Sequence, residues 1–275
     1  MTGDAVEVLR LGDRAVAEYV WRPSLPASLA PRPYLHPIRT LAGTTVTELM
    51  PASHRHHLGV SVAVAEVDGA NFWGGRTFLP GHGPAWLDNH GSQVHLRWLR
   101  RRPDQLMHTL RWTGIDGSIL LYERRTVSWQ PAGPDAWALD FTFALTNMTE
   151  RELPIRSPAA HGRAGAGYGG FFWRAPSGRC RVTAPTESVH GDRARWLSVA
   201  GDRWTLVFLG GDEETRGDRW FVRTRDYVGV GSSLAWDEPL VLAPHAGLRR
   251  RIVTVIADGD LPPGRAAAYA DDFAA

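Results

Sequence analysis

The chain of 275 residues contains no lysine: all 31 basic residues are arginine. Without an amine on a flexible stem, Schiff-base catalysis, a lysine-anchored pyridoxal cofactor and a phosphate-binding P-loop are excluded. Cysteine is nearly absent too. A lone Cys180 rules out an internal disulfide and any cysteine-based zinc site, and a reducing cytoplasm is the expected home. No stretch approaches the 18 apolar residues or so that would cross a bilayer, so no membrane association is expected. The start, Met1-Thr2-Gly3-Asp4-Ala5-Val6-Glu7, carries acids where an export signal carries bases, so no export is expected. A net charge of +2 is too small to imply a nucleic-acid partner. The basic runs Arg100-Arg101-Arg102 and Arg249-Arg250-Arg251 are short and fit solvated strand edges.

Helical periodicity is also scarce; only the tail around Pro263–Ala270 invites a short helix. Period-2 alternation dominates instead. Trp137, Leu139, Phe141, Phe143 and Leu145 fall on one face of a strand, and residues 15–21, 205–209 and 250–256 predict others. Asp-Gly turn signals stand at Asp68-Gly69, Asp116-Gly117 and Asp258-Gly259. Asp116-Gly117, between two apolar runs, predicts a hairpin with type I′ geometry, in which both central residues take positive φ. Many short strands with almost no helix predict an all-β chain, an antiparallel sandwich or a barrel, formed by residues 1–275 as a single domain. The proline-rich stretch over residues 23–33 is expected to be an ordered loop crossing that sandwich.

What stands out is Ser53-His54-Arg55-His56-His57-Leu58-Gly59, which gathers three of the eleven histidines. Asn71-Phe72-Trp73-Gly74-Gly75 follows close behind. Imidazole both donates and accepts protons near neutral pH and is a common metal ligand. On a strand His54 and His56 would share a face and His57 would oppose them; in a turn all three could converge. One use is general acid/base chemistry, with a carboxylate or second imidazole taking the other proton. Another is divalent metal binding, which needs a third ligand from His36, His90, His95, Glu66 or Glu123. A third is hydrogen bonding to substrate hydroxyls. Further along, Gly165–Gly170 with Tyr168 precedes the strand-like Phe171-Phe172-Trp173-Arg174 rather than a helix, so no dinucleotide cofactor is expected. Arg174 offers a planar donor fork. Glu123 and Arg125 share a strand face and would be costly pointing inward unless paired or functional. Trp220, Arg223 and Tyr227 form a later polar-aromatic group that could reach the same rim.

Taken together, Arg32-Pro33-Tyr34-Leu35-His36-Pro37, the His54–Gly59 cluster, Asn71–Gly75, Glu123-Arg124-Arg125 and Gly165–Pro176 resemble the bacterial PmoA-like family in order and spacing. The resemblance runs from about residue 15 to residue 260, on the spacing of those blocks. The family's label alludes to a copper-dependent membrane protein, and no spanning segment of this chain supports that reading. The resemblance implies the large antiparallel two-sheet sandwich of galactose mutarotases and a link to carbohydrate chemistry. One departure stands at Ser53, where the family has an Asp that would orient the first imidazole.

The expectation is therefore a carbohydrate-active enzyme of epimerase, lyase or glycosidase type, using acid/base chemistry without an organic cofactor. His54 and His57 are the proton-transfer candidates and Glu123 their carboxylate partner. His36, His56, Asn71, Trp73, His90, Arg125, Tyr168, Trp173 and Arg174 would hold a small-molecule sugar. A metal-dependent oxygenase or lyase using the same histidines, and a non-catalytic sugar-binding protein, are the alternatives.

Overall fold

A computed structural model describes residues 3–262 and 264–273. Two large sheets dominate it, and every pairing within them is antiparallel. The seven-stranded sheet runs Ala5–Leu11, Arg14–Arg22, Tyr34–Ile38, Val60–Ala63, Gly170–Arg174, Gly229–Ser233, Arg219–Arg223. The eight-stranded sheet runs Arg181–Thr183, Trp196–Ala200, Trp204–Gly210, Gly247–Asp258, Ala136–Asn147, Ile119–Gly133, Gln105–Thr113, Ser92–Arg102. The all-β fold expected from the alternation, and the antiparallel sandwich that the resemblance implied, are the fold observed. Among the described residues, no helix is long and apolar enough to cross a membrane.

The core lies between the sheets because alternate residues of each strand point there. On the eight-stranded side Trp137, Leu139, Phe141, Phe143 and Leu145 are all buried in it, as their spacing predicts. Phe141 meets Phe171 of the opposite sheet at 5.5 Å between ring centroids, and Trp173 meets Phe208 at the same distance. The other face of Ala136–Asn147 begins Ala136, Ala138, and these pack with Val207, Val255 and Tyr269 beneath the helix Arg265–Phe273. Covering by that helix explains why Trp204–Gly210 is buried at every position rather than alternating. The expected tail helix exists, one to three residues later than its sequence pattern; Pro263 lies outside the described residues.

Three local expectations need correction. The hairpin at Asp116-Gly117 forms, but only Gly117 has positive φ there, so the turn is not type I′. That geometry occurs at Asp68-Gly69, where both φ values are positive (48° and 84°) and Val67 and Ala70 exchange backbone hydrogen bonds. Residues 23–33 do not cross the sandwich: they join Arg14–Arg22 to its neighbour Tyr34–Ile38 within one sheet. Arg100–Arg102 does lie on a solvated edge strand, whereas Arg249–Arg251 lies on a central strand. Its charges are met there by Asp212, Asp218 and Asp140.

Candidate functional site

The parity of the seven-stranded sheet places the site on its outer face. Val60 and Val62, Phe171 and Trp173, and Trp220 and Val222 point into the core. Their neighbours Ala63, Phe172 and Phe221 pack on the far side with Trp73, Tyr168, Tyr227 and Trp236. Above this aromatic floor opens a cleft of about 1170 Å³ whose lining includes His54, His56, His57, Trp73, Tyr168, Arg223 and Tyr227.

The histidines reach it on a tightly wound loop rather than a strand. His54 N–H donates to Pro51 O, His57 N–H to His54 O, and Met50 N–H to His57 O. Winding in this way defeats strand alternation and lets all three rings meet. His54 and His57 are stacked at 4.7 Å, His56 and His57 lie edge-on at 4.7 Å, and His54 and His56 are 5.9 Å apart. Gly59 closes the loop at φ +48°, where a methyl group would sit 2.2 Å from Leu35 O. Tyr227 lies 4.9 Å from His54 and 5.0 Å from His57, and Phe172 lies 5.0 Å from His57.

Two devices fix the surrounding segments. Asn71 Oδ1 accepts from the N–H groups of Trp73 and Gly74, both at 2.8 Å, which sets the turn presenting Trp73. Gly75 leaves room for His56, whose Nδ1 would be 2.7 Å from an added methyl. The second device is Arg32, 1% exposed. Its guanidinium donates to Leu29 O, Ala30 O and Trp73 O at 3.0–3.1 Å, to His56 O at 2.7 Å and to Ser61 Oγ at 3.1 Å. One side chain thereby ties the 23–33 loop, the histidine loop and the Trp73 turn to the sheet.

The electrostatics keep the imidazoles neutral. Burial, then the charge of Arg32 and the neighbouring histidines, pushes His56 down to about 3. Burial and the same kind of neighbours, with Arg174, hold His57 well below the ordinary histidine range. His54 is lowered by burial and Arg174, while Asp226 acts in the opposite direction. Ser53 Oγ lies 3.0 Å from His54 Nδ1, so the serine retains a contact able to orient the ring. His57 Nδ1 is buried without a hydrogen-bond partner.

The other residues singled out in the sequence are dispersed. Tyr168 lines the cleft, its ring 4.5 Å from Trp73. His90 sits just behind the rim, with Nε2 2.7 Å from Gly75 O. Arg174 lies behind Tyr227, its guanidinium 4.8 Å from that ring and bonded to Glu48 Oε2 at 2.5 Å. His36 is apart, bonded to Thr47 Oγ1 at 2.9 Å. Trp173 points the opposite way from Arg174 and is core, with its indole N–H donating to Val46 O. Trp220 is core as well, donating to Ala194 O.

Glu123 and Arg125 do not join the histidines. They form an ion pair with no exposed side-chain surface, between the sheets. Glu123 also accepts from the Trp112 indole at 2.8 Å, and Arg125 donates to Gln93 Oε1 at 3.0 Å and Pro33 O at 3.2 Å. Tyr19, His108 and His95 extend this network through contacts of 2.7 and 2.8 Å. Glu66 pairs with His161 and Arg156 instead of the cluster. Among the described residues no three His, Cys, Asp or Glu side chains gather as a metal-binding group. Of the carboxylates named as third ligands for the metal alternative, Glu66 and Glu123 are both engaged elsewhere and neither joins the cluster.

Sequence reasoning missed Arg32 as a positioning residue and Arg55, Arg76, Trp86, Arg163 and Asp226 as lining. Arg32 and Arg55 stand in quoted motifs; the rest carry no local signal, since loops from distant parts of the chain bring them together.

No curated protein matches the chain in sequence. Among solved structures, a candidate aldose 1-epimerase from Escherichia coli K12 superposes with a TM-score of 0.50 at 11% identity, over 94% of this chain and 100% of that one. The alpha-galactosidase from Lactobacillus brevis gives a TM-score of 0.41 at 10% identity, over 88% of this chain and 38% of that one. The first likeness shows that the fold is of the aldose 1-epimerase, or galactose mutarotase-like, type. The PmoA-like label is not carried by any of these matches. Residues 6–271 match the family of unknown function DUF6807, and the chain belongs to that family.

Proposed function

We propose that the protein is a carbohydrate-active enzyme that moves protons at a sugar held in the outer-face cleft. The observation carrying this reading is the meeting of three imidazoles, 4.7–5.9 Å apart, beside Trp73 and Tyr227. Aromatic rings pack against the apolar face of a pyranose, and neutral imidazoles supply both lone pairs and N–H donors to its hydroxyls. The fold's likeness to a protein described as an aldose 1-epimerase favours chemistry at the anomeric centre. Glycoside hydrolysis normally uses two carboxylates, and Asp226 is the one carboxylate among the residues lining the cleft.

In the proposed reaction His57 accepts the proton of the anomeric hydroxyl. His54, which Asp226 draws toward its protonated form, donates a proton to the ring oxygen. The C1–O5 bond breaks to give the open-chain aldehyde, and reversal of both transfers on the other face of the carbonyl closes the other anomer. Both proton affinities are lowered, but Asp226 opposes the shift at His54 alone, which makes His54 the one of the two suited to carry the proton to be donated.

The test is anomer exchange across a panel of aldoses, measured by proton NMR with a chelator present. Acceleration by the wild type that falls about 10²–10⁴-fold in His57→Gln, with the fold intact, is the expected result. Sugar binding without exchange on any member would assign the cleft to a non-catalytic sugar-binding protein. Activity abolished by the chelator and restored by a divalent ion would return the histidines to metal chemistry.

A further inference from the structure

Four arginines, Arg55, Arg76, Arg163 and Arg223, line the cleft against the single carboxylate of Asp226. Several arginines elsewhere in the molecule are held by carboxylates: Arg156 meets Glu66 at 2.8 Å, Arg250 meets Asp218 at 2.8 Å and Arg251 meets Asp140 at 2.8 Å. Among the described residues, none of the four cleft arginines forms such a pair. Three of them lie over aromatic rings within cation–π range instead. Arg223 lies 5.2 Å from the Phe221 centroid, Arg163 lies 5.8 Å from Phe78, and Arg76 lies 6.0 Å from Trp86. Arg223 is further held by a 3.1 Å hydrogen bond to Gly165 O. A cation–π contact restrains a guanidinium without using up its N–H groups, so donors beyond those already engaged remain available to a ligand.

A solvated basic surface accounts for arginines scattered singly, but not for unpaired ones converging on one concavity. Behind them the buried Arg32, which among the described residues meets no carboxylate, adds positive charge that a ligand entering the cleft would feel. A second, independent observation points to an occupant: His57, on the same cleft and 2% exposed, has a ring nitrogen with no partner.

We infer that the cleft takes an anionic carbohydrate, whose carboxylate or phosphate is bound by Arg163, Arg223 and Arg76 while its ring lies against Trp73 and Tyr168. This rests on the reading of the cleft as a sugar site. Bidentate, charge-assisted hydrogen bonding is the geometry for which arginine is suited over other donors. The rim arginines would then set the substrate class, and the aromatic floor with its histidines would act on a sugar already selected for charge. Opposite charge from a bound anion would also favour a protonated His54, coupling recognition to the proton donor.

Calorimetric titration with matched sets tests this: glucose, glucuronate and glucose 6-phosphate, and the corresponding galactose set, each at low and high salt. At least one anionic member should bind tenfold or more tightly than its neutral parent, and that ratio should collapse in 0.5 M salt, where screening shortens to about 4 Å. The uronate and phosphate arms separate the two sources of charge. Arg163→Gln and Arg223→Gln should each reduce the ratio several-fold with unchanged melting temperature, while Arg181→Gln, far from the cleft on an exposed ion pair, should not. Equal binding of neutral and anionic members would overturn the inference and leave the sugar site standing. Binding of inorganic phosphate or citrate as tightly as any sugar acid, with no neutral sugar bound, would overturn both.

Discussion

A histidine buried without a carboxylate partner makes the protein sensitive to acid, and His56 gives that effect a magnitude. Its proton affinity is lowered from 6.5 to about 3, mainly by burial and then by Arg32. The unfolded chain therefore binds a proton as pH drops below 6.5, while the folded chain refuses it until near pH 3. The stability associated with the neutral imidazole is whole above pH 6.5 and is lost progressively as pH falls toward 3. At pH 5 the gap of 1.5 units below the unfolded value corresponds to about 2 kcal/mol, and at pH 4 to about 3 kcal/mol. Removing the titrating ring isolates this contribution from carboxylates that titrate over the same range. Urea unfolding of wild type and His56→Gln should be followed by tryptophan fluorescence from pH 7 to pH 4. The difference in unfolding free energy should move in the variant's favour by roughly 1.4 kcal/mol per pH unit below pH 6. Parallel curves, differing by a constant offset, would refute the claim that His56 is held neutral by its surroundings.

Arg32→Met keeps much of the side-chain volume but removes every donor, leaving the carbonyls of Leu29, Ala30, His56 and Trp73 without it. With unsatisfied buried acceptors costing about 1–3 kcal/mol each and some relaxation toward solvent, a loss of roughly 3–5 kcal/mol in urea unfolding is expected; a loss under 1 kcal/mol would show that the three segments hold themselves. Glu123→Gln leaves the buried Arg125 charge unpaired and should cost about 3–5 kcal/mol by the same assay. Sugar turnover per folded molecule should nevertheless stay within a factor of two or so, since a group acting as the reaction's acid or base is typically worth 10²-fold or more; a larger fall would restore Glu123 to the chemistry.

The architecture was legible because burial leaves a period in the sequence. Trp137–Leu145 alternates so regularly that its core face can be named from the residues alone, and the structure agrees. Turn type was less legible, since Asp-Gly permits type I′ without requiring it. At Asp68-Gly69 two residues join directly paired strands, whereas at Asp116-Gly117 the loop is longer, with Gly114 bonded to Ser118 O and Asp116 Oδ1 accepting from Ser118. Neighbouring strands, not the dipeptide, decide between them.

For the site, parity alone could have removed one error. Trp173 and Arg174 are consecutive in a strand, so they must face opposite sides of the sheet, and both cannot touch one ligand. Choosing between the sides needs tertiary information, as Glu123 and Arg125 show. Two charged residues on one strand face signal a functional cleft or an enclosed ion pair equally well, and here Trp112, Gln93 and Tyr19 complete their hydrogen bonds in the interior. The histidine cluster is the converse case. Crowding three imidazoles into four positions left strand and turn both open, and the meeting of all three rings fits only the turn. Satisfied polarity thus separates the two networks. The interior one closes on itself through Glu123 and Arg125, whereas the outer one leaves His57 Nδ1 and the guanidinium forks of the rim without counterparts. Only the second has bonding capacity left for a ligand, and that asymmetry is why the proposed chemistry is assigned to the outer face of the seven-stranded sheet.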